Sequence, residues 1–365
     1  MNINDQRIVM TLDAGGTNFV FSAMQNGEEI TEPFTLPSQA DNLEKCLGTL
    51  VEGFKKVKAM LPAEPVAISF AFPGPADYAA GIIGDLPNFP SFRGGIPLGP
   101  FLESVFGIPV FINNDGSLFA YGEALAGALP EVNEDLKEAG SPKRFHNLLG
   151  ITFGTGFGAG VVFDGNLVLG DNSCGGDIWC FRHKKLTNLV AEEGVSIRAV
   201  KRVYAERSGD KRELTPKDIC MIADGAAEGD SAAARAAFEE MGEIAGDAIA
   251  SALTIVDGIV VIGGGLTGAS KYFMPRLVAE LNSTLGIHET LTDRMQMKAY
   301  NLEDPVQLAD FCQGDPRMIT VPGTLKQVPY DPKRRIGVMI SRNGASRSIA
   351  LGAYVYALRH LPVEL

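Results

Sequence analysis

Long apolar runs are missing from this 365-residue chain: no stretch of about 18 uncharged apolar residues occurs, which argues against a membrane span. Cysteine is sparse as well. The five present (Cys46, Cys174, Cys180, Cys220 and Cys312) form no C-x-x-C pair, and an odd count suits a reducing compartment better than a disulfide framework. Positive charge is in deficit, 32 basic against 44 acidic residues for a net of −12, so no nucleic-acid partner is expected, because binding nucleic acid needs a basic face. A nucleotide-binding enzyme remains open, since backbone amides alone can make a site locally positive. The opening MNINDQR lacks a basic-then-apolar signal, so a cytoplasmic protein with no membrane partner is expected.

Glycine is plentiful, and its placement is informative. Ile8 to Leu12 reads as a buried strand, Asp13 follows, and Gly15-Gly16-Thr17-Asn18 leads into a second β run, Phe19 to Met24. Most phosphate-binding loops open a helix; this one joins two strands, and a tight β-turn with free N–H groups binds phosphate as a nest. The second half repeats the theme, with a strand from Leu148 to Phe153, Gly154-Thr155-Gly156, and a strand again to Phe163. A third Gly-rich loop, Gly263-Gly264-Gly265, follows the strand Ile259 to Ile262 and opens a helix from about Lys271 to Leu285. Any one such turn, taken alone, reads first as an ordinary hairpin. Two paired with a third suggest two α/β halves holding a nucleotide in the cleft between them.

Other segments complete the outline. Leu43 to Met60 has the spacing of an amphipathic helix. Val66 to Phe72 is a β run closed by Pro73-Gly74-Pro75, and Asp77 to Gly107 reads as loop with a short helix near Phe101 to Phe106. Val110 to Asn113 is a short strand ending at Asn114-Asp115, followed by an Ala-rich helix from Ser117 to Leu129. Ser231 to Val256 is a long helix, residues 287–331 read as an irregular insertion, and Ala345 to Leu361 is a final helix packing back on the first half. The expected domains are 1–117 with 342–365, and 118–341.

In series, "LDAGGTN" (12–18), "PGP" (73–75), "LPNFPSFRGGIPL" (86–98), "NNDGSLFAYGEALAG" (113–127), "GTGFGAG" (154–160), "VIGGG" (261–265) and "ALGAYVYAL" (350–358) resemble the ROK family of sugar kinases and repressors, within the hexokinase and actin-like ATPase superfamily. The resemblance implies a two-domain actin-like ATPase (ribonuclease H-like) fold of α/β class with the active site in the interdomain cleft. It implies phosphorylation of a hexose or hexose derivative, glucokinase-like or amino-sugar kinase-like, with ATP and Mg²⁺ as cofactors, and a homodimer. Asp13 would position Mg²⁺, directly or through water. Gly15, Gly16, Thr17 and Asn18 would hold phosphates with Gly154, Thr155 and Gly156 opposite, and Gly264 and Gly265 would line the adenosine pocket. Gly74, Asn88 and Asn114 would contact the sugar, and Asp115 would be the catalytic base. Taken alone, Asp115 reads first as a helix cap. A late proton acceptor nevertheless suits attack by a sugar hydroxyl, whose pKa lies far above 7.

The chain departs from the family pattern near the sugar. Where Gly-Glu-x-Gly-His is usual, it has Gly176-Asp177-Ile178-Trp179-Cys180, and the cysteine-rich zinc loop is replaced by "FRHKKLTNLVA". Asp177 and Glu192 are the carboxylates left to contact sugar. The histidines (146, 183, 288 and 360) are far apart, and Cys174, Cys180 and His183 supply at most three ligands, so no zinc site is expected. The loop would then be ordered by apolar anchors, Trp179, Phe181, Leu186 and Leu189, and Trp179 reads as core or as a sugar platform. Two other readings belong here. Family repressors carry a helix-turn-helix domain first, and Asp13 lies too near the start for one to be expected. A sugar-binding or regulatory protein with reduced catalysis would have no need of Asp115.

Overall fold

The structure is a computed structural model in which residues 5–361 are described. The chain clusters into two compact units: the first holds the chain through Gly127, Gly165–Gly176 and the segment from Asn343 on, and the second holds Ala128–Asp164 and Asp177–Arg342.

The first unit is built on a mixed sheet. Val9–Ala14 pairs antiparallel with Asn18–Gln25 on one side and parallel with Ala67–Ala71 on the other, and Ala67–Ala71 pairs parallel with Val110–Asn113. Strands in the middle of a parallel arrangement are covered on both faces and so read as continuous apolar runs; every residue of Ala67–Ala71 is buried. Short strands at Glu28–Glu29 and Phe34–Pro37 pair with Asn18–Gln25. One face of the sheet is covered by the helix Leu43–Met60, whose first free N–H groups are met by the Asn42 side chain accepting from Lys45 N. That helix buries Cys46, Leu50, Phe54 and Val57 at helical spacing. Phe54 meets Phe21 edge-on with ring centroids 5.3 Å apart, and Phe19, Phe72 and Phe89 stack into the same aromatic core.

The other face carries two helices, Asp115–Ala126 and Ala345–His360. They approach so closely that a Cβ on Gly122 would lie 2.0 Å from the carbonyl oxygen of Ser348. Glu123, fully buried, is met by the Ser348 hydroxyl. The Asp115–Ala126 helix belongs to the first unit, packed against the last helix.

In the second unit Leu148–Phe153 pairs antiparallel with Phe157–Phe163 and parallel with Ile259–Gly263, which continues parallel to Arg335–Ile340 and then Lys298–Asn301. Ser231–Val256, capped by Asp230, and Ser270–Leu281 pack beside this sheet. The stretch 287–331, expected as an irregular insertion with short elements, holds such elements but is not all insertion. Lys298–Asn301 belongs to the main sheet, with Ala299 and Tyr300 buried, and Pro305–Gln313 is a helix capped by Asp304. Two added hairpins remain, Thr284–Ile287 with Thr290–Asp293 and Arg317–Thr320 with Gln327–Tyr330. A four-residue strand with polar ends leaves no period to read.

Candidate active site

Three parallel strands of the first unit end together. The registers Asp13↔Ala71 and Ala71↔Asn113 put Asp13, the Pro73-Gly74 turn and Asn114-Asp115 at the carboxyl ends of neighbouring strands, where open α/β sheets place their ligands. Asn114 is the helix cap, its Oδ1 accepting from Gly116 N at 2.8 Å. Asp115 is thus the first helical residue rather than the cap, and its exposed carboxylate also receives Gly116 N at 2.8 Å. Asn88 lies beside the first glycine turn: a Cβ on Gly16 would sit 3.5 Å from Asn88 Cβ. Gly74 lies against Tyr78, whose hydroxyl donates to Phe72 O at 2.9 Å.

Asp13 is open to solvent yet hemmed by protein. Desolvation, and secondly the charge of Asp115, raise its carboxyl above the usual aspartate value. A cation beside it would offset both effects, so this carboxylate fits a divalent metal on its own chemistry. A cavity of about 510 Å³ shares Asp13 as a wall with Thr11, Ser22 and Arg347, and Arg347 pairs there with Glu28 at 2.9 Å.

The first turn, from Gly15 to Asn18, is closed by Gly15 N donating to Asn18 O at 3.0 Å. Ser38, which no sequence signal singled out, holds its back: the hydroxyl donates to Gly16 O at 2.6 Å and its amide to Thr17 O at 2.9 Å. In a trans peptide the C=O and the following N–H point opposite ways. The Thr17 and Asn18 amides are therefore aimed away from Ser38.

The second turn is built on the same plan in the other unit. Gly154 N donates to Gly156 O at 3.0 Å, and Ile197 N donates to Gly154 O at 2.9 Å. Glu192 accepts from Phe157 N at 3.0 Å and from Arg198 at 2.9 Å, and Arg198 reaches Thr155 O at 3.4 Å. Gly264 belongs to this group: its φ is +95°, and a Cβ there would lie 2.3 Å from Phe153 O, so only glycine fits. Gly265 follows, exposed, and Leu266 N returns to Phe153 O at 3.2 Å. Glu192 is thus drawn onto the glycine turn, and Arg198 was missed because its role depends on the turn between them.

Asp177 precedes the short 3-10 turn Ile178–Cys180 in the second unit without a side-chain cap bond to it, and its carbonyl receives the Cys180 thiol at 2.8 Å. The expected apolar anchoring of the next loop is corrected: Trp179, Leu186 and Leu189 are 40%, 44% and 38% exposed, so Trp179 is not core. Phe181 is half-buried and Ile178 is the buried anchor. Among the described residues no group of three or more His, Cys, Asp and Glu is placed to hold a metal ion.

The ROK family profile matches residues 9–304. The chain belongs to the ROK family. A crystal structure of glucokinase from Parabacteroides distasonis is 63% identical, covers 99% of this chain and all of that one, and superposes with a TM-score of 0.93. N-acetyl-D-glucosamine kinase of Vibrio parahaemolyticus is 31% identical over 166 residues, 46% of this chain and 50% of that protein. The glucokinase of Halalkalibacterium halodurans is 26% identical over 71% of this chain and 80% of its own length. This ROK chain spans about half the length of the curated N-acetylglucosamine kinases it matches. Its fold is the actin-like ATPase fold of ROK hexokinases, a TM-score of 0.67 with that of Thermus thermophilus. Among the described residues no helix is long and apolar enough to cross a membrane.

Proposed function

We propose that this ROK protein transfers the γ-phosphoryl group of ATP to a hydroxyl of a hexose or hexose derivative, with Mg²⁺, and that Asp115 takes the hydroxyl proton. The observation that carries this reading is the in-register ending of three parallel strands at Asp13, Gly74 and Asn114-Asp115. Because Asn114 caps the helix, the Asp115 carboxylate is left to act on a substrate. As the hydroxyl oxygen bonds to phosphorus, its proton passes to Asp115 and ADP departs. Most of the rate gain in such a transfer comes from alignment and charge neutralisation. Mg²⁺, when bound, neutralises phosphate charge, and Asp13 is the residue to hold it, directly or through water. The outward amides of the Gly15–Asn18 turn and of Gly154–Gly156 are suited to phosphate oxygens, and Gly264 and Gly265 to the adenosine. Asn88, Gly74 and the Asn114 amide, with the carboxylates of Asp177 and Glu192, suit sugar hydroxyls.

Relatives named glucokinase and N-acetyl-D-glucosamine kinase put glucose and N-acetylglucosamine first in a substrate panel. The test is ADP release from ATP-Mg with that panel of hexoses and amino sugars. Sugar-dependent release is expected; tight sugar binding without release would favour the regulatory reading, which the Gly176-Asp177-Ile178-Trp179-Cys180 departure keeps in view. A cytoplasmic homodimer associating through the second unit completes the proposal, and a strictly monomeric mass at micromolar protein would remove the dimer.

A further inference from the structure

His183 is 2% exposed although its neighbours Arg182, Lys184 and Lys185 are all exposed. Its Nδ1 accepts two backbone N–H groups, from Lys185 at 3.1 Å and Leu186 at 3.0 Å. A nitrogen that accepts twice carries no proton, so the ring is neutral with its hydrogen on Nε2. The opposite edge of the ring lies on Gly194, where a Cβ would stand 2.6 Å from Nε2. Backbone bonds continue the link: His183 N donates to Leu189 O at 2.9 Å and Ala191 N to Phe181 O at 2.6 Å. Lys184 pairs with Glu243 and Glu280, and Lys185 with Glu240 and Glu243, fastening the loop to the helices Ser231–Val256 and Ser270–Leu281. The turn Ala191–Gly194, gripped between ring and ladder, carries Glu192, whose carboxylate receives Phe157 N beside the second glycine turn.

We propose that neutral His183 is a positioning residue: it orders the 181–191 loop without a metal and thereby sets Glu192 against the Gly154–Gly156 turn. Protonation turns Nδ1 from acceptor into donor, facing two N–H groups, and the loop loses its hub. Burial chiefly, then Arg202 and Lys185, hold the ring below the usual histidine value, while Glu240 and Glu193 oppose them. For a depressed histidine, the stability is fully present above the unfolded value of about 6.5 and is lost as pH falls through the folded one. The consequence for sugar KM rests on the kinase reading above; the structural claim does not.

Amide hydrogen exchange of the full chain tests it, read at Leu186 (local) and Phe157 (remote, bonded to Glu192), in the unaltered protein, His183→Asn and His183→Phe. Asparagine keeps an acceptor for the N–H groups two and three residues on, as in an Asx turn; phenylalanine keeps a ring without one. Corrected for intrinsic rates, exchange at both amides in the unaltered protein is expected to speed severalfold, with about tenfold the ceiling for one histidine, between about pH 7.5 and 5.5. His183→Asn should stay protected with a flat profile, and His183→Phe should exchange fast throughout, with sugar KM rising more than kcat falls. Acceleration confined to Leu186, or the same pH profile in His183→Asn as in the unaltered protein, would overturn the proposal. ADP release by the unaltered protein reports separately on the kinase reading.

Discussion

The two glycine turns have the same backbone plan and opposite electrostatics. In each, carbonyls are pinned from behind, by Ser38 in the first unit and by Ile197 and Arg198 in the second, so that amides face forward. In the second turn the nearby carboxylate is already satisfied: Glu192 accepts from an amide and from Arg198. In the first, Asp13 is raised by burial and, secondly, by the charge of another carboxylate, Asp115. The second turn's carboxylate has its partners as folded, whereas the first turn's has a like charge beside it, and there the proposed metal would act.

The largest effect should come from the carboxylate that makes the first turn unbalanced. Asp115→Asn should lower kcat by about 10²–10⁴-fold, the usual size of general-base loss, with sugar KM little changed because Asn114 keeps the helix capped. Steady-state kinetics check this, and near-normal turnover would remove Asp115 from the chemistry. Next is the support of the second turn. Gly264→Ala forces a Cβ into Phe153 O at φ +95° and should cost about 2–4 kcal/mol in denaturant unfolding. A smaller and opposite split is expected at Gly154, where a Cβ would meet no protein atom within 4 Å. Gly154→Ala should leave stability unchanged or raise it by about 0.4–1 kcal/mol while raising the ATP KM about tenfold by occupying phosphate space. Equal loss of stability in the two glycine variants would erase the distinction between a packing glycine and a binding one.

Much of this was legible from where apolar runs stop. Asp13, Gly74 and Asn114-Asp115 follow β runs that end in glycine, proline or asparagine, and such endings mark strand termini whatever the tertiary arrangement. The helix Leu43–Met60 was readable from its spacing and Ser231–Val256 from its long alanine-rich run. Ser38, Arg198 and His183 were not, because each is a lone polar side chain whose partner is fixed only by register and packing. Arg335–Ile340 was missed for a related reason. It begins with an arginine that looks exposed in sequence but is 1% exposed, paired with Asp331 at 2.6 Å and donating to Phe311 O.

Thermal unfolding of the unaltered protein and Asp13→Asn, against pH and with or without Mg²⁺ and ATP, tests the imbalance of the first turn most directly. A carboxyl raised in the folded state keeps its proton longer than in the unfolded chain, so its ionisation subtracts stability as pH rises through the raised value. Without metal at neutral pH, Asp13→Asn should therefore melt higher than the unaltered protein, with the gap closing in acid where Asp13 is protonated. Mg²⁺ with ATP should stabilise the unaltered protein more than the variant and reverse the order. A variant that melts lower than the unaltered protein in metal-free neutral buffer would contradict the account.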